Sequence, residues 1–149
     1  MSTIPDDQPE LSLADITLTR RLSVTVTPAD LQRISPAAWA YLGDAVYELY
    51  IRASYLVPPK RSQTYHEMVV AQVRAEAQAS HLRSLYPHLT SAELEILKRG
   101  RNAAPGNRLK RVNSDIYRQA TSLEMLVGYL YLTDPQRLTE LLGHLDLPP

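Results

Sequence analysis

The chain has 149 residues, 44% of them apolar, with sixteen Lys and Arg against sixteen Asp and Glu. That length supports one domain with a real core, the apolar share excludes a disordered chain, and the balanced charge names no partner by itself. The lack of cysteine excludes disulfides and thiolate metal sites. No apolar run approaches the roughly 20 residues of a membrane span. The N-terminus has no basic segment followed by an apolar one, so the expectation is a soluble cytoplasmic protein.

Residues 1–26 read as an N-terminal tail, with four acids and no base in the first nineteen. Within it "RRLSVTVT" reads as a short strand or an extended segment. From residue 27 to 149 the sequence reads as one all-α domain. Thr27 with Pro28, and Ser35 with Pro36, each give an N-cap followed by proline at the first helical position. The helix from Ser35 runs to Pro58-Pro59, which stops it. "SQTYHEMVVAQVRAEAQASHLRSLY" reads as one bent helix or two abutting ones. Thr90 and Glu93 have capping-box spacing. "AAPGNRLKRV" is a loop turning at Pro105-Gly106. "NSDIYRQATSLEMLVGYLYL" is a long apolar helix, and Asp134 with Pro135 opens the last one.

Two carboxylates stand out. On a wheel of about 100° per residue, Trp39, Leu42, Val46, Leu49 and Ala53 form a core stripe, with Asp44 opposite. Yet the neighbours of Asp44 are Ala40, Tyr41, Tyr47, Glu48, Ile51 and Tyr55, not the polar residues of a solvated face. A buried carboxylate must be paired, protonated or bound to metal. One reading pairs Asp44 with Arg74 or Arg118. Another begins from Glu124, the only acid between Asp115 and Asp134, which also lies on an apolar face. If the two faces meet, Asp44 and Glu124 make an oxygen-ligand site suited to Mg²⁺, an ion that polarises phosphodiesters. Glu48 lies one turn beyond Asp44 and reads as solvent-facing. The four histidines show no metal-ligand spacing, and the nine tyrosines read mostly as core or interface aromatics.

"KRGRNAAPGNRLKR" carries Lys98, Arg99, Arg101, Arg108, Lys110 and Arg111 and no acid. Cations at a helix C-terminus suit its dipole, which accounts for the first three. The three beyond the turn point instead to a phosphate backbone, bound with salt-dependent and sequence-independent affinity.

"YLGDAVYELYIR", together with "RGRNA" and "SDIYRQATSLEMLVGYLYL" after it, resembles the two signature regions of the ribonuclease III catalytic domain, in its Mini-ribonuclease III branch. The likeness runs from about Ser35 to Leu132. The chain ends soon after, with no room for the double-stranded-RNA-binding domain of full-length enzymes, which also fits that branch. The resemblance implies an all-α homodimer that cleaves double-stranded RNA with Mg²⁺ and leaves 5′ phosphates. It further implies maturation of the 5′ and 3′ ends of 23S (large-subunit) ribosomal RNA precursor. It makes Asp44 and Glu124 the catalytic and metal-binding acids and the cationic arm a substitute for the missing RNA-binding domain. Full-length enzymes carry two further acids where this chain has Ala40 and Thr121, which leaves the number of metal ions open. Those two departures also admit a competing reading, a catalytically inactive RNA-binding module of the same fold in ribosome assembly. A helical adaptor for a protein partner is a third reading, and it leaves the cationic arm unexplained.

Overall fold

The computed structural model describes residues 22–103 and 114–149. Among them there are seven α-helices and no strand: α1 (Pro28–Arg33), α2 (Pro36–Leu56), α3 (Ser62–Val73), α4 (Ala75–Leu85), α5 (Ser91–Ala103), α6 (Ser114–Thr133) and α7 (Pro135–Leu142). A 3₁₀ turn, Tyr86–His88, joins α4 to α5.

The caps lie where the sequence puts them. Thr27 Oγ1 accepts from the Asp30 N–H at 3.1 Å, and Asp30 Oδ2 accepts from the Thr27 N–H in return. Ser35 Oγ accepts from the Ala38 N–H, and Asp134 from the Arg137 N–H. Each supplies an acceptor to one of the orphan N–H groups of a first turn. Of the two readings of the stretch from Ser62 to Tyr86, the abutting pair is correct. Arg74 takes an extended ψ of 156° and separates α3 from α4. Residues 23–27 form no strand, which leaves the extended reading for that part of "RRLSVTVT".

The core lies where α2 and α6 cross, with α4 and α5 packed onto α6. The inward face of α2 is a correction to the wheel. Its buried residues are Trp39, Ala40, Gly43, Tyr47, Ile51 and Tyr55, so the core face is the side on which Asp44 sits. Leu49 is 64% exposed and Tyr41 84%, and Ala45 and Ala53 also face outward. Apolar content is similar on both sides of α2. Close backbone packing at Gly43, which has no hydrophobicity to register on a wheel, selects the inward face.

The tyrosines explain how this core does without phenylalanine. Tyr47 Oη donates to the Gln72 carbonyl (2.8 Å), Tyr50 Oη to Leu142 (3.2 Å) and Tyr55 Oη to Pro148 (2.8 Å). Each ring contributes apolar area while its hydroxyl takes up a carbonyl of another segment. In this way α2 is tied to the end of α3, the end of α7 and the C-terminal residues.

A second tie joins α5 to α7. Glu93 caps α5 through Thr90 and accepts two bonds of 2.9 Å from Arg137, which also donates to the His88 carbonyl. The Arg137 bonds hold the Glu93 carboxyl below its usual value of 4.5. Stability from this group is therefore present above pH 4.5 and lost as pH falls through the lower folded value. Glu93→Gln is expected to cost about 2 kcal/mol at pH 7, because one half of a largely buried pair is neutralised. Unfolding curves should show that difference shrinking in acid; a pH-independent difference would mean that shape, not charge, makes the contact.

Candidate active site

The site is built on two glycines. A Cβ placed on Gly43 would lie 1.7 Å from the Glu124 carbonyl oxygen, and one on Gly128 would lie 2.0 Å from the Trp39 carbonyl oxygen. Helices α2 and α6 therefore touch backbone to backbone at reciprocal positions. Asp44 follows Gly43 in the chain, and Glu124 is the residue whose carbonyl Gly43 meets. The crossing thus brings the two isolated acids of the sequence into one place.

No ion pair joins Asp44 to Arg74 or Arg118. Asp44 stands at the solvent-accessible rim, and its carboxyl is held above the ordinary range, first by lost hydration and then by the charge of Glu48. Glu124 is half-buried, and burial, reinforced by the charge of Asp44, pushes its carboxyl up to about 7. The side chain of Gln78, on α4, works the other way and draws it down. Glu48 is committed to Arg52, one turn on, at 2.7 Å.

Two carboxylates held above their ordinary range, with no ion-pair partner among the described residues, make a repulsive pair that a divalent cation would relieve. Among the described residues no group of three or more His, Cys, Asp or Glu forms a metal site. The donor set is therefore two carboxylates, which fits a hard, largely hydrated ion such as Mg²⁺ and does not fit a metal needing a full protein cage. Three of the four histidines make contacts elsewhere: His81 Nε2 is bonded to Gln72 Oε1 at 2.8 Å, and His88 stacks on His144 with centroids 3.8 Å apart. Ala40 is buried in the core, and Thr121 is half-buried.

Lys98, Arg99 and Arg101 are exposed on the last turns of α5. That helix packs on α6 at Gly100, whose Cβ would lie 2.9 Å from the Ser122 Cα, two residues before Glu124. Arg101 also pairs with the exposed Asp115 at 3.1 Å. Lys98 and Arg101 line a cleft with Arg83, Tyr86 and Gln119; sequence reading missed the last three, because nothing local marks Arg83 or Gln119 as more than solvated helix residues. Arg108, Lys110 and Arg111 lie outside the described residues.

The sequence profile of the Ribonuclease III domain matches residues 37–135. A protein of Synechocystis named Mini-ribonuclease 3 is 53% identical over 127 residues, covering 83% of this chain and 88% of the relative. Proteins of the same name from Gloeobacter violaceus and Clostridium tetani are 48% and 35% identical, covering 80% and 78% of this chain and 87% and 79% of the relatives. A crystal structure of a Fusobacterium nucleatum protein superimposes with a TM-score of 0.67 at 29% identity, over 76% of this chain and 93% of the other.

Proposed function

The chain belongs to the ribonuclease III family and is an endoribonuclease of it, and from that premise we propose that it cleaves double-stranded RNA with Mg²⁺ held by Asp44 and Glu124, leaving 5′ phosphates. The observation that carries this reading is the pair itself: two acids on helices that touch at Gly43, each above its ordinary pKa and neither ion-paired among the described residues. Mg²⁺ would supply Lewis-acid polarisation of the scissile phosphodiester. The chain's own contribution is to hold the two carboxylates in fixed positions on rigid helices and to lead the phosphate backbone to them. Lys98, Arg99 and Arg101, with Arg108, Lys110 and Arg111, are proposed to bind that backbone.

The exposed apolar face of α2 around Tyr41 and Leu49 supports assembly as a homodimer, in which two sites would each cut one strand. The proposed substrate is the 23S ribosomal RNA precursor, trimmed at both ends in the cytoplasm. Among the described residues no helix is long and apolar enough to cross a membrane. Incubating the protein with an end-labelled RNA duplex, with Mg²⁺ and with a chelator, tests the reaction. The expected result is Mg²⁺-dependent cleavage with phosphate on the new 5′ ends, and a duplex that is bound but never cut would favour the inactive RNA-binding module.

Neutralising Arg108, Lys110 and Arg111 together is expected to weaken duplex binding at all sequences alike. It should also reduce the slope of log affinity against log salt, by roughly 0.9 for each phosphate no longer neutralised. An unchanged slope would return the segment to a loop that does not touch RNA.

A further inference from the structure

We propose that the cleft between α4, α5 and α6 takes up one unpaired nucleotide of the bound RNA, with the phosphate on its cationic rim and the base on its apolar floor. This second contact site rests on the proposed RNA substrate and lies apart from the catalytic acids.

The cleft has a volume of about 200 Å³, and its lining includes three cations, Arg83, Lys98 and Arg101, all exposed. A polar chain through α6 holds two of them. Arg83 Nη1 donates to Gln119 Oε1 at 3.4 Å, Gln119 Nε2 donates to Asp115 Oδ2 at 2.8 Å, and Arg101 Nη2 donates to Asp115 Oδ1 at 3.1 Å. Among the described residues no acid lines the cleft, and Lys98 has no ion pair. The rim therefore carries a positive surplus that suits an anion. Beneath it the lining is apolar. Leu82 and Leu97 are buried, whereas Leu94 and Tyr86 beside them stay 40% and 46% exposed.

The cations alone would suit any phosphate of a duplex. The rest of the cleft would then go unused. In an A-form helix the bases are stacked inside, so a backbone phosphate on the rim leaves Tyr86 and Leu94 facing water. An unpaired nucleotide supplies both parts: a phosphate for the guanidiniums and a flat base for the tyrosine ring and the leucines. The volume falls below the roughly 300–1,000 Å³ of pockets for drug-sized ligands and suits a single base. Lys98 and Arg101, proposed above as backbone contacts, put the cleft on the path of the RNA. Position separates it from the chemistry. At about 100° per residue, Gln119 and Ser122 lie about 140° and 160° from Glu124 around α6. The cleft therefore opens on the other side of that helix, and the nucleotide held there is not the one that is cut.

Binding of the full chain is measured in chelator, where nothing is cut, with three duplexes of one sequence. One is flush, one carries a central bulged adenosine, and one has an abasic residue at the bulge. We expect the bulged duplex to bind about 5-fold or more tighter than the flush one, the scale of one base stacked on an aromatic ring. The abasic bulge should lose that gain. Tyr86→Leu, which keeps an apolar side chain and removes the ring, should lose it too, and Tyr86→Trp should keep it. Both variants should fold, because Tyr86 is half-exposed and its bonds to Leu82 and Leu89 are of the backbone. Equal or weaker binding of the bulged duplex by the parent overturns the proposal and leaves the cleavage reading standing. A gain that the abasic bulge retains also overturns it, since the bend of the RNA then explains the gain, and that arm needs no variant. Adenosine 5′-monophosphate titrated alone tests the other source of the same chemistry. Its binding, lost in Tyr86→Leu and without any preference for the bulge, would make the cleft a free-nucleotide site instead. A parent that binds none of the duplexes removes the RNA reading itself, and the cleft's role with it.

Discussion

Asp44→Asn protein is expected to fold as the parent does and to lose Mg²⁺-dependent cleavage of duplex RNA by about 10²- to 10³-fold or more, the scale on which one group of a preorganised electrostatic site acts. The amide has the shape of the carboxyl and removes its charge. Since Asp44 stands at the rim, makes no ion pair with Arg74 or Arg118, and is disfavoured as an anion by lost hydration and by Glu48, removing that charge should not destabilise the fold. Glu124→Gln extends the test. A carboxyl raised to about 7 from 4.5 binds its proton more tightly folded than unfolded. Its ionisation therefore costs stability progressively from pH 4.5 to about 7, and the whole cost stands above that. The variant should be inactive and, without metal at pH 8, more stable by about 1–3 kcal/mol, or about 2–12 °C in melting temperature. Such opposed effects on activity and stability are the mark of groups placed for chemistry. Full cleavage by pure Asp44→Asn protein, or a lower melting temperature for Glu124→Gln at pH 8, would sink the assignment.

Much of this site was readable because its signals are local. Thr27, Ser35, Thr90 and Asp134 announce helix starts by chemistry confined to three or four residues, and the prolines beside three of them sharpen the boundaries. Asp44 and Glu124 were visible as acids with the wrong neighbours. The unreadable features depend on two segments meeting. The sequence assigns Leu49 to the core and places the side of Asp44 opposite, whereas Leu49 is exposed and the side of Asp44 faces α6. Tyr47 and Tyr55 count as weak hydrophobes until their hydroxyls find carbonyls 25 and 93 residues away. Gln78, in "AEAQAS", looks like any solvated helix glutamine until α6 covers it. Glu93 reads as a cap, and its second task, receiving Arg137 from 44 residues on, has no local trace. Periodicity reports that a face is apolar; it does not report what is laid against it.

Gly43→Ala should be the most damaging single-methyl change among the described residues, and the reason lies in what the methyl would strike. Its Cβ would lie 1.7 Å from the Glu124 carbonyl oxygen, 2.6 Å from the carbonyl carbon and 2.8 Å from the Gly128 nitrogen. All three are backbone atoms of α6, so no side-chain rotation relieves the clash, and the helices must separate. Separation would loosen the packing around Leu123, Leu126 and Val127, all buried, and would break the alignment of Asp44 with Glu124. Overpacking a core ordinarily costs about 1–3 kcal/mol; a rigid backbone clash at the central crossing should exceed that, at about 4 kcal/mol or more, against a total stability on the order of 5–15 kcal/mol. Gly128→Ala, which meets the Trp39 carbonyl oxygen at 2.0 Å, should be similar. Gly143→Ala, where the nearest atom is 3.2 Å away, should be mild. Urea unfolding of the three proteins gives the order directly. If Gly43→Ala is as stable as the parent, the backbones of α2 and α6 do not touch, and the juxtaposition of the two acids loses its structural basis. If it is unstable yet its folded fraction cleaves RNA at the parental rate, the crossing is needed for the fold, and the acids tolerate a wider spacing than a single shared ion allows.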